Sequence, residues 1–312
     1  MAMSNRQAEQ LAWQRLTPKQ KRGLLALKDN ATIIDGRIYD KSGNDQTHRA
    51  ELVVNTTESQ REALQAIDDL TEHEIENGHF VFAFFESCKT MGDQYPSLTQ
   101  PDLARLMFVG TYTGYRSGRL QHDNGRIIDK KALESMVGIS RNKFREFYRK
   151  LIDEDILREV NGELFVNPSV FYRGPVSEIQ YEIDEYRHTR LFRKTVRELY
   201  AKYTGRATTQ LAIIYTVLPF LNFDTNVVCF NPQEHNEDEI KPMNLENLAA
   251  LLGYKDTHKL KRALDSVKID GQPVFWLPHN VHDKRQRRII VNPRVVFAGK
   301  AESLRAIKVL FN

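Results

Sequence analysis

The sequence predicts a mainly α-helical chain with small β-hairpins, an α+β class. Two tandem helix-turn-helix modules, each closed by a hairpin, are expected to follow an N-terminal helical arm. Three observations lead there. The nonapeptide Val166-Asn167-Pro168-Ser169-Val170-Phe171-Tyr172-Arg173-Gly174 recurs as Val291-Asn292-Pro293-Arg294-Val295-Val296-Phe297-Ala298-Gly299, identical at Val, Asn, Pro, Val and Gly. The same order of features precedes each copy, as expected of a duplicated module. Finally, the residues between helix signals and nonapeptide are β-favouring and broken by turn residues.

In the first copy, Asp129 is suited to cap a helix, and apolar residues at 128, 132, 133, 136 and 137 follow the helical period. Gly138 stops that helix, because glycine accepts the left-handed conformation of a helix C-terminus, and Ser140 can cap the next. The second helix buries Phe144, Phe147, Leu151 and Ile152 and presents Arg141, Asn142, Lys143, Arg145 and Arg149. Ile156 to Val166 then reads as two strands around Asn161-Gly162, the strongest two-residue hairpin signal. Pro168 ends the last strand, having no N–H for the ladder.

The second copy repeats this order. Leu245, Leu248, Leu251 and Leu252 face the core, Gly253 turns, and a helix beginning at Asp256 or Thr257 buries Leu260, Ala263, Leu264 and Val267. Its hairpin is expected to pair Val274–Leu277 with Arg288–Val291 around a basic loop, Pro278 to Arg287. A helix pair is expected before each module: Phe80–Met91 with Thr99–Tyr115, where Thr99 and Asp102 suit a capping box, and Leu191–Tyr203 with Thr208–Leu221. The expected divisions are 1–77 as the arm, 78–175 as module 1, 176–187 as linker and 188–312 as module 2. Within the arm, the stretch through Lys28 is helix-prone and basic, 29–56 is polar with Asp35-Gly36 and Ser42-Gly43 turns, and 57–76 is an acidic helix.

Helix-turn-helix followed at once by a hairpin is the order of a winged helix. With the terminal Val-Asn-Pro-x-Val and Gly, the chain resembles the winged-helix replication and regulatory proteins of phages and plasmids, over about 126–174 and 244–299. The duplication departs from the usual single-module form. The resemblance implies double-stranded DNA as partner. It leaves open a transcriptional regulator, a replication initiator binding origin repeats, or a winged-helix adaptor between proteins.

Composition agrees with a folded chain that binds polyanions. It has 312 residues, 41% hydrophobic and 28% charged, with a net charge of +4, values that exclude disordered and collagen-like classes. Residues 126–150 carry eight bases against three acids, and 281–300 six against one, two separate basic patches. Cys88 and Cys229 lie far apart and read as buried thiols of a reducing compartment. No apolar run approaches the roughly 20 residues of a membrane helix. The N-terminal MAMSNRQAEQLAWQRL lacks the apolar core of a signal peptide, so the expected location is the cytoplasm of a bacterial host cell.

The candidate DNA contacts follow from chemistry. Ser140, Arg141, Asn142 and Lys143 at the start of the first basic helix suit base edges, since arginine chelates guanine and asparagine adenine, while Arg145 and Arg149 suit phosphates. In the second module Lys255, Thr257, His258, Lys259, Lys261 and Arg262 are candidates on the helix, with Asp256 opposing phosphate. Lys284, Arg285, Arg287 and Arg288 in the basic loop suit a minor groove or phosphates. Homo-oligomers and the replication or transcription machinery are compatible further partners.

No enzyme constellation emerges, and no cofactor or metal is expected. There is no GxxxxGK[ST] phosphate loop. His73-Glu74-Ile75-Glu76 lacks the second histidine of a zinc-protease helix, and His279 and His282 have no companion ligands. His282 to Arg285 matches the His-x-x-Arg of tyrosine recombinases, but no tyrosine follows Tyr254 to act as nucleophile.

Overall fold

A computed structural model describes residues 13–34, 37–47, 58–86, 90–179, 186–278 and 288–311. The chain divides into two compact units, residues 1–61 and 62–312. In the first, helix α1 (Pro18–Asn30) starts at a capping box in which Thr17 and Gln20 exchange hydrogen bonds. Strands β1 (Thr32–Ile34) and β2 (Arg37–Tyr39) then pair antiparallel. The expected acidic helix is α2 (Glu58–Glu76), which from Glu62 on belongs to the second unit. Cys88 and the Asp35-Gly36 turn lie outside the described residues.

Both copies of the repeat lie in the second unit, which mixes runs of helices with runs of strands. In chain order they are β3 (Phe80–Glu86), α3 (Met91–Gln94), α4 (Gln100–Gly110), α5 (Lys130–Val137), α6 (Arg141–Asp153), β4 (Leu157–Val160), β5 (Glu163–Val166) and β6 (Phe171–Tyr172). The second copy supplies β7 (Tyr186–Phe192), α7 (Arg193–Lys202), α8 (Thr208–Thr216), α9 (Leu245–Leu251), α10 (Thr257–Ser266), β8 (Lys268–Ile269), β9 (Gln272–Pro273), β10 (Phe275–Trp276), β11 (Ile290–Val291), β12 (Val296–Phe297) and α11 (Ala301–Lys308). None of the described helices is long and apolar enough to cross a membrane.

The expected helix over Phe80–Met91 is a correction: residues 80–86 form a strand, and only Met91–Gln94 is helical. Six consecutive apolar residues suit a buried strand as well as a buried helix, and β3 is claimed by partners on both sides. Likewise Leu191 and Phe192 end a strand before α7 begins, and the helix expected over Thr208–Leu221 stops at Thr216, with a 3-10 turn at Leu218–Phe220. The helix expected over Thr99–Tyr115 is α4, which ends at Gly110; its capping box is present, with Asp102 accepting from the Thr99 N–H and hydroxyl.

The four strands β12-β7-β3-β6 form one antiparallel sheet to which both copies contribute. Ala83 in β3 pairs with Phe171 just as Leu191 in β7 pairs with Val296, so Ala83 and Leu191 are counterparts. Their neighbours Phe82 and Arg190, also counterparts, pair with each other across the centre. An approximate two-fold axis therefore passes through that pair. Backbone bonds repeat on both sides of it: Leu120 N–H to Leu164 and Val228 to Ile289, Ile128 to Leu120 and Met243 to Val228, Asn167 to Ile156 and Asn292 to Val274. The repeated asparagine explains the nonapeptide. Asn167 donates to the Asp155 carbonyl and accepts from Ser169 N–H, and Asn292 donates to Pro273 and accepts from Arg294 N–H.

Helix α2 reaches the second copy through His73, which is 1% exposed. Its Nε2 donates to the Pro293 carbonyl at 2.9 Å, and Nδ1 accepts from the Asn77 amide at 3.3 Å. Both nitrogens are satisfied only in the neutral ring. Burial, with Lys308 and Arg294 nearby, lowers its pKa, while the Pro293 bond and Glu76 oppose the shift. His188 is lowered too, by burial and by Arg190 and Arg187. A histidine harder to protonate when folded stabilises above its unfolded pKa of 6.5, and that contribution is lost as pH falls below it. Unfolding free energy is expected to drop below pH 6.5, by at most about 1.4 kcal/mol per pH unit for each histidine. Urea titrations of the wild type and His73→Gln across that range should give a shallower slope for the variant; equal slopes would remove His73 as a source.

Candidate nucleic-acid interface

The first basic surface is built by local signals. The Asp129 carboxylate accepts from Ala132 N–H at 2.7 Å and starts α5. Gly138, at φ +68°, ends it with its N–H on the Glu134 carbonyl. Helix α6 is then pinned by Phe144, Phe147, Tyr148 and Leu151, all buried. Ser140, Arg141, Asn142, Lys143, Arg145 and Arg149 are all exposed, so every predicted contact of this module is open to solvent at the start of α6 or along it. Ile152, expected inside, is 37% exposed. Ser140 makes no side-chain capping bond, which leaves the positive end of α6 open to an outside anion.

Lys150 is spoken for: its Nζ lies 3.0 Å from Asp102 and 3.1 Å from Glu146. Burial opposes ionisation of Asp102, but hydrogen bonds from Thr99 and Lys150 outweigh it and hold the carboxyl below its usual range. The hairpin β4–β5 turns at Asn161 and Gly162, both left-handed at φ +53° and +79°. Its charges are mostly paired within the chain: Arg158 with Asp155 at 2.7 Å, Glu159 with the Tyr148 hydroxyl at 2.6 Å, and Glu163 with Arg119 at 3.4 Å.

In the second copy, α10 buries Leu260, Ala263 and Leu264. Lys255, His258, Lys259 and Arg262 are exposed, and Thr257 and Lys261 are half-buried. Asp256 caps α10, accepting from His258 N–H at 2.8 Å, so this helix start already carries an anion. Strands β10 and β11 pair Phe275 with Val291 and Trp276 with Ile290, within the hairpin expected there. Arg288 is half-buried; Lys284, Arg285 and Arg287 lie outside the described residues. A further hairpin, β8–β9, turns at Asp270-Gly271, whose Asp-Gly signal is legible in the sequence.

Sequence reasoning missed two groups of arginines. Arg193 and Arg197 of α7 reach into the first copy, where both bind the Thr111 carbonyl and both ion-pair with Asp123. Burial, then neighbouring Arg173 and Arg197, push the Arg193 guanidinium down to about 10. The second group lines a groove of about 930 Å³ at the start of α6, where Arg105, Ser140 and Lys143 of the first copy meet Arg197, Glu198 and Arg206 of the second. No local pattern announces it, because its two walls lie some sixty residues apart in the chain. No family model matches the chain, and neither a curated protein nor a solved structure matches it.

Proposed function

We propose that the protein binds double-stranded DNA in a sequence-specific manner, through two tandem winged-helix modules and without chemistry of its own. The observation that carries this reading is α6: a helix held by four buried side chains, with Arg141, Asn142, Lys143, Arg145 and Arg149 exposed. Arginine and asparagine at the start of such a helix suit base edges, and the later arginines suit phosphates. The two-fold relation between the copies favours inverted half-sites over direct repeats, because duplex DNA has a matching two-fold. Regulation of phage or plasmid genes is preferred over origin initiation, because no segment announces helicase recruitment or strand melting.

The test is fluorescence anisotropy of the full chain with duplex fragments from around its own gene, against random competitor, at two salt concentrations. Salt-sensitive binding that survives competitor is expected, since neutralised phosphates release counterions. The position of the bound fragment separates promoter from origin. No binding at low salt would overturn the reading in favour of an adaptor between proteins.

A further inference from the structure

We propose that the groove between the two copies at the N-terminus of α6 is a phosphate-binding site, filled by a backbone phosphate of bound DNA or by the phosphates of a free nucleotide. The first source rests on the DNA reading; the second does not. The groove, about 930 Å³, gathers Arg105, Lys143, Arg197 and Arg206 against a single acid, Glu198. Cations collected in a cleft with low-dielectric walls concentrate anions there.

Those cations are not equally free. Arg197 is committed to Asp123 and Thr111. Arg105 binds Asp102 at 2.6 Å and also meets the Tyr200 hydroxyl, so it too is largely committed. Lys143 and Arg206 are exposed and have no ion-pair partner among the described residues. Between them stands the start of α6, whose N-cap Ser140 forms no side-chain bond to the first turn.

The two-fold-related copy supplies an independent pointer. There the counterpart of Ser140 is Asp256, and its carboxylate accepts from the first turn of α10 at 2.8 Å. One copy thus fills this position with an anion of its own, while the other keeps a hydroxyl and surrounds it with cations. A phosphate satisfies the second arrangement as a carboxylate satisfies the first.

The test uses the full chain, Arg206→Ala and Lys143→Ala, with two probes: fluorescently labelled ATP, and a random-sequence duplex followed by anisotropy across salt. Each variant is expected to weaken at least one probe by about tenfold, the worth of one charge-assisted hydrogen bond. Loss confined to labelled ATP assigns the site to a free nucleotide. Loss on the duplex, with a salt slope shallower by about one, assigns it to the DNA backbone. If the wild type binds neither probe, or both variants bind both probes as the wild type does, the proposal is overturned. Labelled ATP bound and variant-sensitive with duplex unbound would instead sink the DNA reading and keep the groove. Duplex binding weakened by changes at Arg141 or Asn142, but untouched at Arg206 and Lys143, would do the reverse.

Discussion

Replacing Arg141 and Asn142 together by alanine is expected to weaken binding to a cognate duplex by about 2 to 6 kcal/mol, at roughly 1 to 3 for each side chain reading a base edge. Random duplex should lose much less. Both residues are exposed on the first turn of α6, so the substitutions remove no core contact and the thermal midpoint should stay near that of the wild type. Arg145→Ala and Arg149→Ala serve as the contrast. Arg149 sits 3.9 Å from Asp153, a surface pair with both side chains well exposed and of little stabilising worth, so its charge remains available to phosphate. Each of these changes is expected to lower affinity evenly across sequences and to flatten the salt dependence by about one unit of slope. Competition anisotropy with cognate and random duplexes separates the two patterns. Equal losses for Arg141 and Asn142 on both duplexes would remove them from base readout.

Asn226→Ala is expected to destabilise the fold by about 3 to 5 kcal/mol, because it strands several buried polar groups together. Asn226 is fully buried, and its amide donates to the Val291 and Val296 carbonyls at 3.1 and 2.7 Å while its oxygen accepts from Ala298 N–H at 3.2 Å. Its backbone is left-handed, at φ +54°, a conformation that alanine adopts at a cost of about 1 kcal/mol. In the first copy the same place is held by Gly118, at φ +65°; Val166 N–H bonds to its carbonyl as Val291 N–H bonds to that of Asn226. Asn226→Gly therefore keeps the backbone and loses only the side-chain bonds, and should fall short of the alanine variant's cost by about that 1 kcal/mol. Denaturant unfolding of the three proteins measures both differences. An alanine variant as stable as the wild type would mean that these bonds are replaced on relaxation.

That pairing of Gly118 with Asn226 shows why the duplication was legible only in part. Both residues adopt a positive φ, for different reasons: glycine has no Cβ, whereas Asn226 is held there by side-chain bonds to Val291, Val296 and Ala298. Identity comparison sees no match there, whereas Val-Asn-Pro recurs letter for letter because the asparagine amide must bridge the same carbonyl and N–H in each copy. Short-range signals elsewhere were readable for the same kind of reason. Asp129 and Gly138 bracket α5, Asn161-Gly162 sets the first hairpin, and the apolar spacing of α6 marks its inward face. Phe80–Glu86 was not readable. Its periodicity is silent between strand and helix, and the choice fell to β6 and β7, which lie far along the chain.

By itself the sequence determined α5, α6 and the β4–β5 hairpin, their counterparts α9, α10 and β10–β11, and the face that α6 turns outward, because caps, left-handed turns and helical periodicity act over a few residues. The tertiary structure alone decided that β3 and β7 meet at Phe82 and Arg190, that a two-fold axis relates the copies, and that Arg197 and Arg206 come to stand beside Lys143. Those are pairings between distant segments, set by which edges and faces are left to bury once the local elements have formed, and no neighbouring residues encode them.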